Sequence, residues 1–362
     1  MASPPEASGS VRSPESPIQP HDPEAFNREV AEALSHDLAT VLGRVRSMPR
    51  YALIDGSLCP KGWLDAWCNE QGLDAEPLFL RTPEAALHPR GPHLIELPNA
   101  PMGRAHSLIK TLAEGPGVWQ ALTLTASPLP IMKLHAHLRA FLGGILEDKT
   151  EALLRWYDAR VGIPMLQILP AAAQTAFMQP FAFWQSWDWN YQPIELKGEK
   201  QQSLPDYPTP VPIGEETLKA LSGLNVVQGL IARFEEDPPQ QDLDVSPLPM
   251  TSALKHYIAE RELGEAQNLG LTKTLINQKA ILWFAFHVHP DIWRHAHMRE
   301  EAKKRFAKLG TMTWLFQEHT LRQRGEQALA EMGAAFIARL KTRCRTADPH
   351  PDGASGIITR PL

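Results

Sequence analysis

Apolar residues along the first half of the chain alternate between helically spaced stretches and short continuous runs. Phe26, Val30, Leu34, Leu38, Val41, Leu42 and Val45 fall three or four apart, the spacing of one helix face. Asp22, Pro23 and Glu24 give that helix a capping carboxylate, a first-turn proline and an acid at the positive end of its dipole; Pro49 ends it. The run from Tyr51 to Gly56 reads as a buried strand carrying Asp55 at its carboxyl end. The same reading predicts strands over 76–80, 91–97, 119–124 and 153–158, and helices over 62–71, 103–112, 131–146 and 164–182. Strands that alternate with helices imply crossover connections. The expectation is an α/β lobe over 22–182, N-terminal helix included, with a mostly parallel or mixed sheet and flanking helices.

The pattern changes after residue 182. Phe181, Phe183, Trp184, Trp187, Trp189 and Tyr191 crowd together, and residues 193–214 are rich in proline and polar side chains, so 183–214 reads as a linker. Helical periodicity then dominates, over 215–234, 252–263, 272–289, 290–309 and 311–343, predicting an all-helical lobe over 215–345. Residues 1–21 and 346–362 are too poor in apolar surface to offset the entropy of ordering, and read as tails.

Composition narrows the function. A chain of 362 residues with 43% hydrophobic content can build two lobes. Its net charge is −5 and no basic block occurs, which weighs against nucleic acid as a partner. No apolar run has the length of a membrane span or the character of a signal peptide, so neither a membrane nor export is expected, and a cytoplasmic location is. Cys59, Cys68 and Cys344 form an odd set without CxxC spacing, as free thiols in a reducing compartment do. Gly115-Pro116-Gly117 and Gly143-Gly144 do not match a phosphate-cradling loop, and no cofactor is expected.

Three constellations carry candidate chemistry. The first is charged: Asp55, His137, Arg139, Arg155, Asp158 and Arg160, with Tyr157 among them. With the aspartates at strand ends, one reading is an enzyme acting on an anionic substrate, of phosphoesterase or glycosidase type. Asp55 or Asp158 would be its base, His137 its acid and the arginines its anion clamp. The other reading makes the same residues an ion-paired joint that holds the lobe in register. The joint is preferred, because no nucleophile, glycine-rich loop or metal-ligand set accompanies the charges. The second constellation is His287, His289, His295 and His297, a weak metal candidate because residues two apart diverge by about 200° on a helix. The third is Trp184, Trp187 and Trp189, either packing between lobes or aromatic anchors for a protein partner.

The order of the segments adds a further reading. Tyr51-Ala52-Leu53-Ile54-Asp55-Gly56, Pro77-Leu78-Phe79, Gly91-Pro92-His93-Leu94-Ile95-Glu96-Leu97, Ala126-Ser127, His137-Leu138-Arg139 and Arg155-Trp156-Tyr157-Asp158-Ala159-Arg160 follow one another. Across roughly 50–180 this resembles the adaptor, or chaperone, family that loads toxic effectors onto the spike of the bacterial type VI secretion system. The resemblance implies a non-catalytic cytoplasmic protein whose partners are an effector and VgrG or another spike-tip protein. It assigns no catalytic residue. The family's usual residue after the motif aspartate is proline, and this chain has Ala159.

Overall fold

The structure is a computed structural model. It describes residues 22–43, 47–98, 108, 111–112, 114–115, 118–189, 191–224, 226–238, 246–272, 274–294, 299–300 and 319–346. In chain order the elements are α1 (Pro23–Gly43), β1 (Arg50–Asp55), α2 (Trp63–Gln71), β2 (Ala75–Pro77), β3 (Pro92–Leu97), α3 (Val118–Ala121) and β4 (Leu122–Ala126). Next come α4 (Ile131–Ala140), β5 (Gly143–Leu146), β6 (Glu151–Leu153), α5 (Gly162–Ile168), α6 (Ala171–Met178), β7 (Phe183–Trp187), β8 (Pro193–Lys197) and β9 (Val211–Ile213). The remainder is helical: α7 (Glu215–Gly223), α8 (Val226–Glu236), α9 (Ser252–Asn268), α10 (Leu275–His287) and α11 (His319–Thr346).

Six strands form the main sheet, in the order β2-β3-β1-β4-β7-β8. Every neighbouring pair is antiparallel. This corrects the expected parallel or mixed sheet, and the reason lies in how the crossovers land. β1 and β2 do run the same way, as a helical crossover requires, but β3 returns between them and pairs with both. β3 and β4 likewise run the same way, with β1 between them. A second, three-stranded sheet, β6-β5-β9, has one antiparallel and one parallel pairing.

β1 lies near the middle of the main sheet and is buried on both faces. Its alternate side chains therefore divide between two cores. Ala52 and Ile54 join Leu122, Leu124, Phe183 and Trp187 on one face, packed with α1, α2 and the C-terminal helices. Tyr51 and Leu53 join Leu94, Trp156, Phe177 and Trp184 on the other, under α4, α5 and α6. Each fully buried Leu or Ile here contributes about 1.5–3 kcal/mol.

The helical half is present, and it shares its core with the sheet. Phe284, Trp293 and Leu340 belong to the same contiguous cluster as Ile54 and Trp187. α1 is fastened to α11 by Phe26 on Phe336 at 5.6 Å, Lys341 to Glu29 at 2.9 Å and Arg343 to Asp37 at 2.6 Å.

Several boundaries move. The stretch 183–214 holds β7, β8 and β9, so it is sheet where a linker was expected. The predicted strand over 153–158 is only the end of β6; Asp158 N–H bonds the Arg155 carbonyl at 3.0 Å and turns the chain. The helix expected over 131–146 stops at Ala140, and β5 follows. Pro170 divides the helix expected over 164–182 into α5 and α6. Residues 1–21 and 347–362, most of 103–112, and 301–318 lie outside the described residues.

Candidate functional site

The charged residues meet where β1 ends and α5 begins. Asp158 sits in the turn before α5: its carbonyl accepts from Val161 N–H at 3.0 Å and Gly162 N–H at 2.6 Å. Gly162 is needed there, since a Cβ would stand 2.1 Å from the Trp156 carbonyl oxygen. The Asp158 carboxylate is buried and fully engaged. Arg160 donates to both oxygens, Nε to Oδ1 and Nη2 to Oδ2, each at 2.8 Å. Its backbone N–H adds a bond to Oδ1 at 3.2 Å, and Arg155 Nη2 donates to Oδ2 at 3.0 Å. Two parallel contacts of this kind fix orientation as well as charge.

Asp55 lies alongside, almost wholly buried. Its Oδ1 accepts from Ser57 N–H at 3.0 Å and from the Ser57 hydroxyl at 2.7 Å. Its Oδ2 has no hydrogen bond and stands 3.9 Å from Arg155 Nη2. Burial raises the Asp55 pKa above the usual carboxylate range, and the Asp158 charge adds to this, against the opposing pull of Ser57 and Arg155. Arg155 thus spans both carboxylates while its side chain stays 45% exposed. Tyr157, buried against Phe79 at 5.7 Å, has its phenol pushed up to about 12 chiefly by burial.

Arg160 also reaches the helical half. Its guanidinium lies 5.1 Å from the centre of the Trp189 ring, and the other partner of that ring is His256 of α9, at 4.1 Å. Burial and the Arg160 charge hold the His256 pKa down to about 4. The turn before α5 is therefore tied to β1 through Arg155 and to α9 through Arg160 and Trp189. The sequence reading missed Ser57 and His256; the short Asp-Gly-Ser turn was the one signal for Ser57.

Two members of the predicted set stand apart. His137 is buried among Phe141, Phe177 and Phe181, with ring centroids at 5.0, 6.0 and 5.8 Å, and its Nε2 bonds the Phe177 carbonyl at 2.9 Å. Burial lowers its pKa to about 4. A neutral core histidine in that cage does not reach the aspartates as a general acid. Arg139, on α4, contacts the Arg81 carbonyl at 3.5 Å and pairs with neither aspartate.

The tryptophans divide by strand alternation. Trp184 is fully buried against Trp156, Phe177 and Phe181, and Trp187 packs on Trp119 at 5.3 Å from the opposite face. Both are core, which removes them as exposed anchors. Of the three only Trp189 is partly exposed, and Arg160 and His256 occupy its ring.

His287 stacks on Trp283 at 4.9 Å, while His289 Nδ1 accepts from Asp291 N–H at 3.1 Å. His295 and His297 lie outside the described residues, among which no group of three or more His, Cys, Asp or Glu could hold a metal. Cys59 and Cys68 are buried, with thiols pushed up to about 12 and about 11 chiefly by burial; this suits inert core residues. No helix among the described residues is long and apolar enough to cross a membrane.

The comparisons bear on the part of the chain that carries this site. No curated protein and no solved structure gives a match. Residues 50–176, which supply β1 to β4, two of the three small-sheet strands (β5 and β6), and the whole Asp55–Arg155–Asp158–Arg160 array, match the family model described as a domain of unknown function, DUF4123.

Proposed function

We propose that the chain is a non-catalytic adaptor that binds a cognate type VI secretion effector and loads it onto the VgrG spike or another spike-tip protein. The observation that carries this reading is the coincidence of two boundaries. The DUF4123 match covers 50–176, and the ordered motifs that resemble the effector-adaptor family fall within nearly the same span.

The geometry of the charged set supports holding over chemistry. Asp158 accepts four hydrogen bonds from two arginines, leaving little capacity to take a proton from a substrate. His137, the acid that an enzyme reading needs, is enclosed by three phenylalanines. Residues of the set instead join β1, the turn before α5 and α9, as a scaffold for partner binding would require.

The test is affinity capture with the full chain as bait in lysate of the source cell, read by mass spectrometry. Recovery of one large toxin-like protein together with a spike subunit is the expected result. Repeated recovery of neither overturns the reading.

A further inference from the structure

Residues 78–91 join β2 to β3 at the end of the sheet where β1 finishes; Leu78 and Phe79 are buried there, and the stretch from Leu80 to Arg90 is half-buried or exposed. Pro77 pairs with His93, Asp55 faces Pro92, and Gly56 N–H bonds the Gly91 carbonyl at 2.9 Å. Short turns build this connection: Thr82 N–H to the Phe79 carbonyl and Ala85 N–H to the Thr82 carbonyl, both at 3.1 Å. Arg81 lies between them with φ of +64°, a conformation that residues with a side chain rarely take. Arg139 of α4 contacts the Arg81 carbonyl, and the half-exposed Arg155 stands over Asp55 at the same end.

This end of the molecule combines positive charge with exposed apolar surface. Arg81 and Arg90 are exposed, and Leu80 and Leu87 are 42% and 58% exposed. Among the described residues no carboxylate lies within ion-pairing distance of Arg81, Arg90 or Arg139. The two nearby aspartates are buried, and Asp158 is already committed to Arg155 and Arg160. The connection itself carries one carboxylate, the half-buried Glu84, against Arg81 and Arg90, so in a chain of net charge −5 this end still holds a local excess of the opposite sign.

We propose that this sheet end, with Arg81, Arg90, Arg139 and Arg155 around Leu80 and Leu87, docks a protein segment that interleaves carboxylates with apolar side chains. The inference rests on the adaptor reading for the identity of that segment as part of an effector. Charge complementarity selects the sign of the partner and steers its approach. Exposed leucines select protein over nucleic acid, because a phosphate backbone offers them nothing to bury.

The test uses the full chain and three fluorescent probes: a short peptide of Glu, Leu and Gly, its Lys, Leu and Gly counterpart, and a short DNA duplex. Anisotropy should show the acidic peptide bound, with affinity falling as salt rises. Arg81→Glu with Arg90→Glu should weaken that binding by roughly tenfold or more, and Leu87→Ser should weaken it at all salt concentrations, with melting temperatures unchanged. Equal peptide affinity in the variants, no acidic-peptide binding, or preference for the duplex overturns the proposal. Lysate capture with the same variants separates the two claims. An effector captured equally by wild type and charge-reversed chain overturns the docking surface and leaves the adaptor reading standing. If wild type captures none, the adaptor reading fails, and the peptide result alone decides the surface.

Discussion

Arg160 holds Asp158 through two contacts of 2.8 Å each, and both side chains are largely shielded from water. Arg155 shares the same carboxylate at 3.0 Å, but its side chain is 45% exposed. The two arginines should therefore differ in weight. Removing Arg160 takes both fork contacts from a buried carboxylate, leaving Arg155 as its one side-chain cation, and takes the cation from the Trp189 ring, a loss of about 3 kcal/mol. Removing Arg155 leaves the fork intact and should cost about 1 kcal/mol. Urea unfolding of Arg160→Ala and Arg155→Ala measures both, and equal losses would contradict this ranking.

At position 159 this chain has alanine where the motif it resembles usually has proline. Ala159 is buried and donates no hydrogen bond, and it follows Asp158 in a turn closed by Val161 N–H on the Asp158 carbonyl at 3.0 Å. That is the second position of a turn, where proline is favoured and its missing N–H is not needed. Ala159→Pro should leave the fold intact and raise stability by about 0.4–1 kcal/mol, by narrowing the unfolded ensemble. A denaturation midpoint below that of wild type would show that the packing around residue 159 does not admit the ring.

Glu262 gives the helical half a pH dependence. It is fully buried on α9, accepts from Arg261 Nε at 3.0 Å and Trp293 N–H at 3.2 Å, and has its pKa raised to about 7 chiefly by burial. The folded pKa exceeds the unfolded value of about 4.3. Its contribution is therefore full below pH 4.3 and is lost as pH rises through about 7. Glu262→Gln keeps an acceptor and abolishes the titration. Relative to wild type, the variant should gain stability between about pH 4.5 and 7, by about 1.4 kcal/mol per unit of raised pKa. Parallel stability–pH curves would refute this assignment.

The chain announced its elements better than their arrangement. The Phe26-to-Val41 spacing marked α1, and Tyr51 to Asp55 marked β1, because each periodicity is local. The antiparallel sheet was hidden, because the insertion of β3 between β1 and β2 is settled by tertiary pairing. Gly143-Gly144 fell inside the helix expected over 131–146. It is β5, where Gly144 lets Ile213 and Leu154 approach to 3.1 and 3.2 Å of where a Cβ would stand, and its partner strand β9 comes more than sixty residues later. At the site, Arg155, Asp158 and Arg160 were legible as a unit because a turn of six residues keeps them together. Arg139 and His137 were grouped with them by sequence proximity of motifs, and the orientation of α4 sends one to Arg81 and the other into the aromatic core.

Asp55 offers the most direct measurement of the central claim, that this array holds a partner-binding scaffold and performs no reaction. Asp55→Asn removes the buried charge while keeping an acceptor for Ser57. Capture of the effector and spike subunit from lysate by this variant, alongside wild type, joins the structural and functional halves of the account in one experiment. The account predicts both proteins recovered at the wild-type level, with a melting temperature at or above that of wild type at pH 7, since a carboxyl of raised pKa is costly when ionised. Recovery of neither protein by wild type, or loss of capture by a fully folded Asp55→Asn chain, would contradict it.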